Sequence, residues 1–243
     1  VQSHYSSSSI EFPNMQFLPA LLLSICALAA AGEESLKPGM EGNSSVIVPA
    51  TCILGTQTGC STSVVAGLTD QILAELETMG YSFKTLDSTW IKCASPCVPK
   101  LQSAAADALA AAAKSKNDYI TLNSAVRSSA QQYLLYEWYL KGICSIGLAA
   151  VPGTSNHEGG RAVDTSYYSY WLSTLSAYGW VHSYPDSDPV HFDYTKSPDI
   201  AKQNLLAFQK LWNIHNPNSK ISEDGIYGTN TANALYNSPC GGW

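Results

Sequence analysis

Six cysteines strung between residues 52 and 240 constrain this chain of 243 residues more than any other feature. A seventh, Cys26, lies in an apolar stretch near the start. Setting it aside leaves Cys52, Cys60, Cys93, Cys97, Cys144 and Cys240, an even set that reads as three disulfides formed in an oxidising compartment. Several pairings are open; proximity along the chain suggests Cys52 with Cys60, Cys93 with Cys97, and Cys144 with Cys240, the last fastening the C-terminal segment to the main body. A zinc ribbon fits poorly, because spacings of eight, thirty-three and four residues lack paired CxxC knuckles.

The apolar stretch around Cys26 reads as processing sequence. From Met15, MQFLPALLLSICALAAAGEES supplies an apolar run over Phe17 to Ala31 that ends in small residues suited to cleavage. It is too short for a membrane span. No Lys or Arg precedes it, and the residues before Met15 look like upstream sequence or an alternative leader. Residues 1–31 are therefore expected to be leader and signal peptide, leaving a secreted chain free of the membrane; a disordered, uncleaved N-terminal tail is the alternative. Asn43-Ser44-Ser45 is a glycosylation sequon. Thirteen basic against nineteen acidic residues give a net charge of −6. A nucleic-acid partner is excluded on that balance, since no basic excess or stripe is present.

Beyond the leader, helices alternate with short strands. Leu68 to Met79 has helical apolar spacing and a glycine stop, and Lys100 to Lys116 is alanine-rich and helix-favouring. Asp118 to Val126 is β-branched with partial alternation, followed by a helix over Arg127 to Lys141 that ends at Gly142. A strand at Ala162 to Thr165, a helix over Tyr170 to Tyr178, and two short strands in GWVHS and VHFDY complete the pattern. The expected class is α+β: a small antiparallel sheet flanked by helices. The segments are 32–66, bearing the first cysteines, a main domain at 67–196, and a small helical C-terminal module at 197–243.

The chemistry concentrates in two places. PGTSNHEGGRAVD, Pro152 to Asp164, places a His and an Asp seven residues apart. On a continuous helix they would stand about 10 Å apart, too far for a shared ion. Gly159 and Gly160 favour a turn that brings His157 and Asp164 together. GWVHSYPDSDPVHFDY, Gly179 to Tyr194, supplies His191 in a short strand. Two imidazoles and a carboxylate are a catalytic zinc set, with the fourth position left for water.

SNHEGGRAVD resembles the SxHxxGxAxD signature of the VanY-type zinc D-Ala-D-Ala carboxypeptidases and their peptidoglycan L,D-endopeptidase relatives, and DPVHFDY resembles their second signature. The stretch NSAVRSSAQQYLLYEWYLKGICSIGLAAVPG is similar to the family's arginine-bearing helix and its approach to the first motif. The resemblance implies one zinc ion per chain, held by His157, Asp164 and His191 in a cleft of the hedgehog/D-Ala-D-Ala peptidase kind. It assigns the base to Asp188, three residues before the last ligand, with Asp186 as the rival. Asp193 is expected on the opposite face of its strand.

The same resemblance makes Arg127 the donor to a substrate carbonyl or carboxylate. Gln132 and Ser155 are expected at the substrate, and His182 as a catalytic assistant; turn formation for Ser155 and a strand-end surface position for His182 are the plainer readings. The tail, with FQKLW and DGIYGTNTANAL, resembles part of a peptidoglycan-binding repeat. The implied activity is a secreted, monomeric D-alanyl-D-alanine carboxypeptidase acting on peptidoglycan or muropeptides. An endopeptidase of the same family and a non-catalytic zinc-bearing wall-binding module are the alternatives.

Overall fold

The computed structural model describes residues 52–243. The expected leader, Cys26 and the Asn43 sequon lie outside the described residues. Among those described, no helix is long and apolar enough to cross a membrane.

Local sequence sets most of the elements. Helix α1, Ala66–Thr78, buries Leu68, Ile72, Leu73 and Leu76 at helical spacing. Helix α3, Ser129–Lys141, starts at a capping box in which Ser128 accepts from Gln131 N while the Gln131 side chain accepts from Ser128 N. It ends at Gly142 in the left-handed region, φ 64°. The alanine-rich helix α2 covers Ser103–Lys116 rather than starting at residue 100. Lys100–Leu101 instead forms strand β3, which pairs antiparallel with β1, Lys84–Thr85.

The expected single antiparallel sheet is absent from the described residues, which carry three two-stranded pairs instead. Besides β1 with β3, strand β2, Ile91–Cys93, lies parallel to β4, Ile120–Leu122. The intervening β3 and α2 form a crossover that returns the chain in the same direction, which a hairpin cannot do. Strand β5, Ala162–Asp164, pairs antiparallel with β6, His191–Asp193, in a register that sets Asp164 opposite His191. GWVHS contributes only a bridge from Val181 to Asp193.

The described residues form two apolar cores. One joins α2, β4, Val163, Phe192 and the Trp171 and Leu175 face of α4, Tyr168–Ala177. The other joins α1 and α3 to Leu205 and Phe208 of α5, Ala201–His215, and to Leu235 of α6, Thr229–Asn237. Helices α5 and α6, in the segment expected as a C-terminal module, share one core with α1, α3 and the Leu54 segment.

The disulfides correct the proximity reading. Cys93 pairs with Cys97 as expected, but Cys52 pairs with Cys240 and Cys60 with Cys144. Packing of the Leu54 segment against α6 brings Cys52 to Cys240 across 188 residues. In the chain-entropy view, closing a loop of that length constrains the unfolded chain by about 5 kcal/mol. Titration of denatured, unreduced protein lacking residues 1–31 should therefore find no free thiol; several reactive thiols would contradict this pairing.

Candidate metal centre

The turn at residues 155–160 brings His157 back towards β5. Gly160 is required there: its φ is +62°, and a Cβ would lie 2.4 Å from the Phe83 ring. His157 Nδ1 donates to Ala125 O at 2.8 Å, which leaves the Nε2 lone pair facing inwards. On β6, His191 Nε2 donates to Asp193 Oδ1 at 2.9 Å, so its Nδ1 faces inwards. Asp164 completes the group from β5.

These three atoms form a nearly equilateral triangle. His157 Nε2 and Asp164 Oδ1 are 3.1 Å apart, His191 Nδ1 and Asp164 Oδ1 are 3.2 Å apart, and the two nitrogens are 3.2 Å apart. All three residues are buried, and together they can hold a metal ion. Ligands about 2.0 Å from a tetrahedral ion stand about 3.3 Å from one another, so the triangle fits zinc as it stands.

The electrostatics agree with a cation here. Burial alone would raise the Asp164 carboxyl, but the neighbouring His157 and the Arg127 guanidinium hold it well below the ordinary range. Burial and the Arg127 charge lower His157. Burial also opposes charge on His191, yet its bonds to Asp164 and Asp193 outweigh that and raise it to about 9. A bound cation would take the place of the proton between His191 and Asp164.

Around the triangle lies a cavity of about 270 Å³, lined among others by Arg127, Gln132, Ser155, Tyr184 and Asp188. Asp188 Oδ2 stands 4.0 Å from His191 Nδ1 with its side chain 40% exposed. Burial, followed by the Asp164 charge, raises its pKa. The rival Asp186 sits in the exposed turn and does not line the cavity. Arg127 donates to Asp164 Oδ2 at 2.6 Å and to Ser124 Oγ at 2.8 Å. Gln132 donates to Ala150 O, and its buried Oε1 has no partner among the described residues.

Ser155 lines the cavity, and within the turn its Oγ accepts from His157 N. His182 does not line the cavity; its Nε2 donates to Pro189 O and its ring stacks on Phe192.

Asp193 corrects the expectation placed on it. Strand side chains repeat with period two, so residues 191 and 193 share a face, and the HFD triplet carried that signal. Its carboxylate holds His191 in the tautomer that frees Nδ1, and Asn156 Nδ2 and Ser183 Oγ hold the carboxylate in turn. Asp193→Ala is expected to weaken divalent metal binding by about 10- to 100-fold, measured by competition with a chromogenic chelator. Unchanged affinity would remove Asp193 from the site. Glu158 was also not singled out from the sequence. Fully buried, its carboxylate accepts from Gly153 N and Ser155 N and shapes the turn; burial pushes it up to about 8 against those donors.

No curated protein matches the chain. A family match covers 79 of the 243 residues, taking in Arg127, Gln132, Ser155, His157 and Asp164 and stopping short of Asp188 and His191. Over residues 98–176 the chain matches the model of the VanY family, D-alanyl-D-alanine carboxypeptidase.

Proposed function

We propose that the protein is a secreted zinc metallopeptidase that hydrolyses peptidoglycan stem peptides as a D-alanyl-D-alanine carboxypeptidase. The observation that carries this reading is the convergence of three lone pairs at 3.1–3.2 Å beside a cavity that also holds Asp188. His157, Asp164 and His191 would hold the ion, which supplies Lewis-acid polarisation and makes water a competent nucleophile near neutral pH. Asp188 takes the proton of the attacking water at Oδ2 and returns it to the leaving amine. Arg127 places a fixed cation beside the developing oxyanion, and Gln132 Oε1 is free to accept a substrate N–H. An intact base and a cleft argue against a purely wall-binding role. Three disulfides favour an extracellular setting.

One observation favours the endopeptidase alternative. Arg127 is already paired with Asp164, and among the described residues no other Lys or Arg lines the cavity. A free terminal carboxylate therefore meets no uncommitted cation there. Digesting muropeptides with free and amidated C-termini, and weighing the products, tests both readings. Release of terminal alanine from free termini alone supports the carboxypeptidase, cleavage of both supports the endopeptidase, and no cleavage of either rejects the enzyme reading.

A further inference from the structure

The turn that carries His157 is backed by residues 197–205, the start of the segment expected to form a separate module. Arg161 donates to Ser197 O and to Asp199 Oδ2. Leu205 lies so close to Gly153 that a Cβ there would come within 2.8 Å of its Cδ2. The central contact is Asn204 in the first turn of α5, which is fully buried. Its Oδ1 accepts from Ser129 N at 2.8 Å, and its Nδ2 donates to Arg127 O at 3.0 Å and to Glu158 O at 2.9 Å. All of its donors and its acceptor oxygen are thereby engaged.

These partners come from the two stretches that build the centre. Arg127 N also donates to His157 O at 3.1 Å, so one direct backbone bond and one bridging carboxamide fix the spacing of Arg127 and His157. Removing the carboxamide leaves two buried carbonyls and one buried N–H short of partners beside the metal ligand. We infer that Asn204 is a positioning residue for the metal centre, and that α5 belongs to its scaffold. The inference rests on the zinc reading above.

Asn213, on the same helix, is the matched control. It is also buried, and its side chain accepts from Ile221 N and donates to Ile221 O and Glu223 Oε1, all away from the centre. Zinc affinity by chelator competition and metal-free thermal unfolding should be measured for Asn204→Ala, Asn204→Asp and Asn213→Ala in the full chain. Asn204→Asp keeps the acceptor for Ser129 N and loses both donations, so it serves if Asn204→Ala fails to fold. The Asn204 variants should lose about 10- to 100-fold in zinc affinity, the range for groups that orient ligands. Asn213→Ala should lose comparable thermal stability and keep its affinity. Wild-type affinity in the Asn204 variants, or an equal loss in Asn213→Ala, overturns the inference. Absence of zinc binding by the wild-type chain instead removes the zinc reading, and this inference with it.

Discussion

Asp188→Asn is expected to keep zinc bound and to lower peptide hydrolysis by about 10² to 10⁴, the usual range for general acid–base catalysis. The substitution preserves size and polar shape but removes the proton acceptor. Asp188 lies 4.0 Å from His191 and outside the ligand triangle, so metal content should stay stoichiometric. The pH profile supplies a second readout. The carboxylate is the active form, so activity is present above the Asp188 pKa and lost as pH falls through it. Burial and the Asp164 charge raise that pKa above its ordinary 3.8, which moves the acid limb upwards. The Asn variant should lack this limb. Near-wild-type hydrolysis would take the role of base from Asp188.

Replacing His157 and His191 together with alanine should abolish both zinc binding and hydrolysis. The remaining ligand, Asp164, stays paired to Arg127, and one carboxylate is a poor zinc site. Ligand linkage gives a further test: an ion present at 1,000 times its Kd stabilises the folded chain by about 4 kcal/mol. Adding a strong chelator should therefore lower the Tm of the wild-type chain and leave that of the double variant unmoved. Stoichiometric zinc in the double variant would overturn the ligand assignment.

Much of this centre was legible because its chemistry is written in short, local patterns. His157 and Asp164 flank a glycine turn, and the strand around His191 supplies the third donor. The capping box at Ser128 and the stop at Gly142 likewise announce α3. What escaped the sequence depends on distant packing. The parallel pairing of β2 with β4 follows from a crossover whose direction no local pattern records. The pairing of Cys52 with Cys240 follows from α6 packing beside the Leu54 segment. Asn204 looks like an ordinary polar residue of an amphipathic helix until the fold seals it against Arg127 and Glu158. Asp193 was legible and misread, since two residues along a strand means the same face.

The Cys52–Cys240 bond makes the described chain topologically a closed ring. Any single backbone cut between those residues, for instance in the exposed loop at Leu148, leaves both fragments tethered. A clipped molecule therefore keeps its full mass until it is reduced, and its halves remain at high effective concentration for re-docking. Nicking by a protease then becomes a reversible injury rather than a dismantling one.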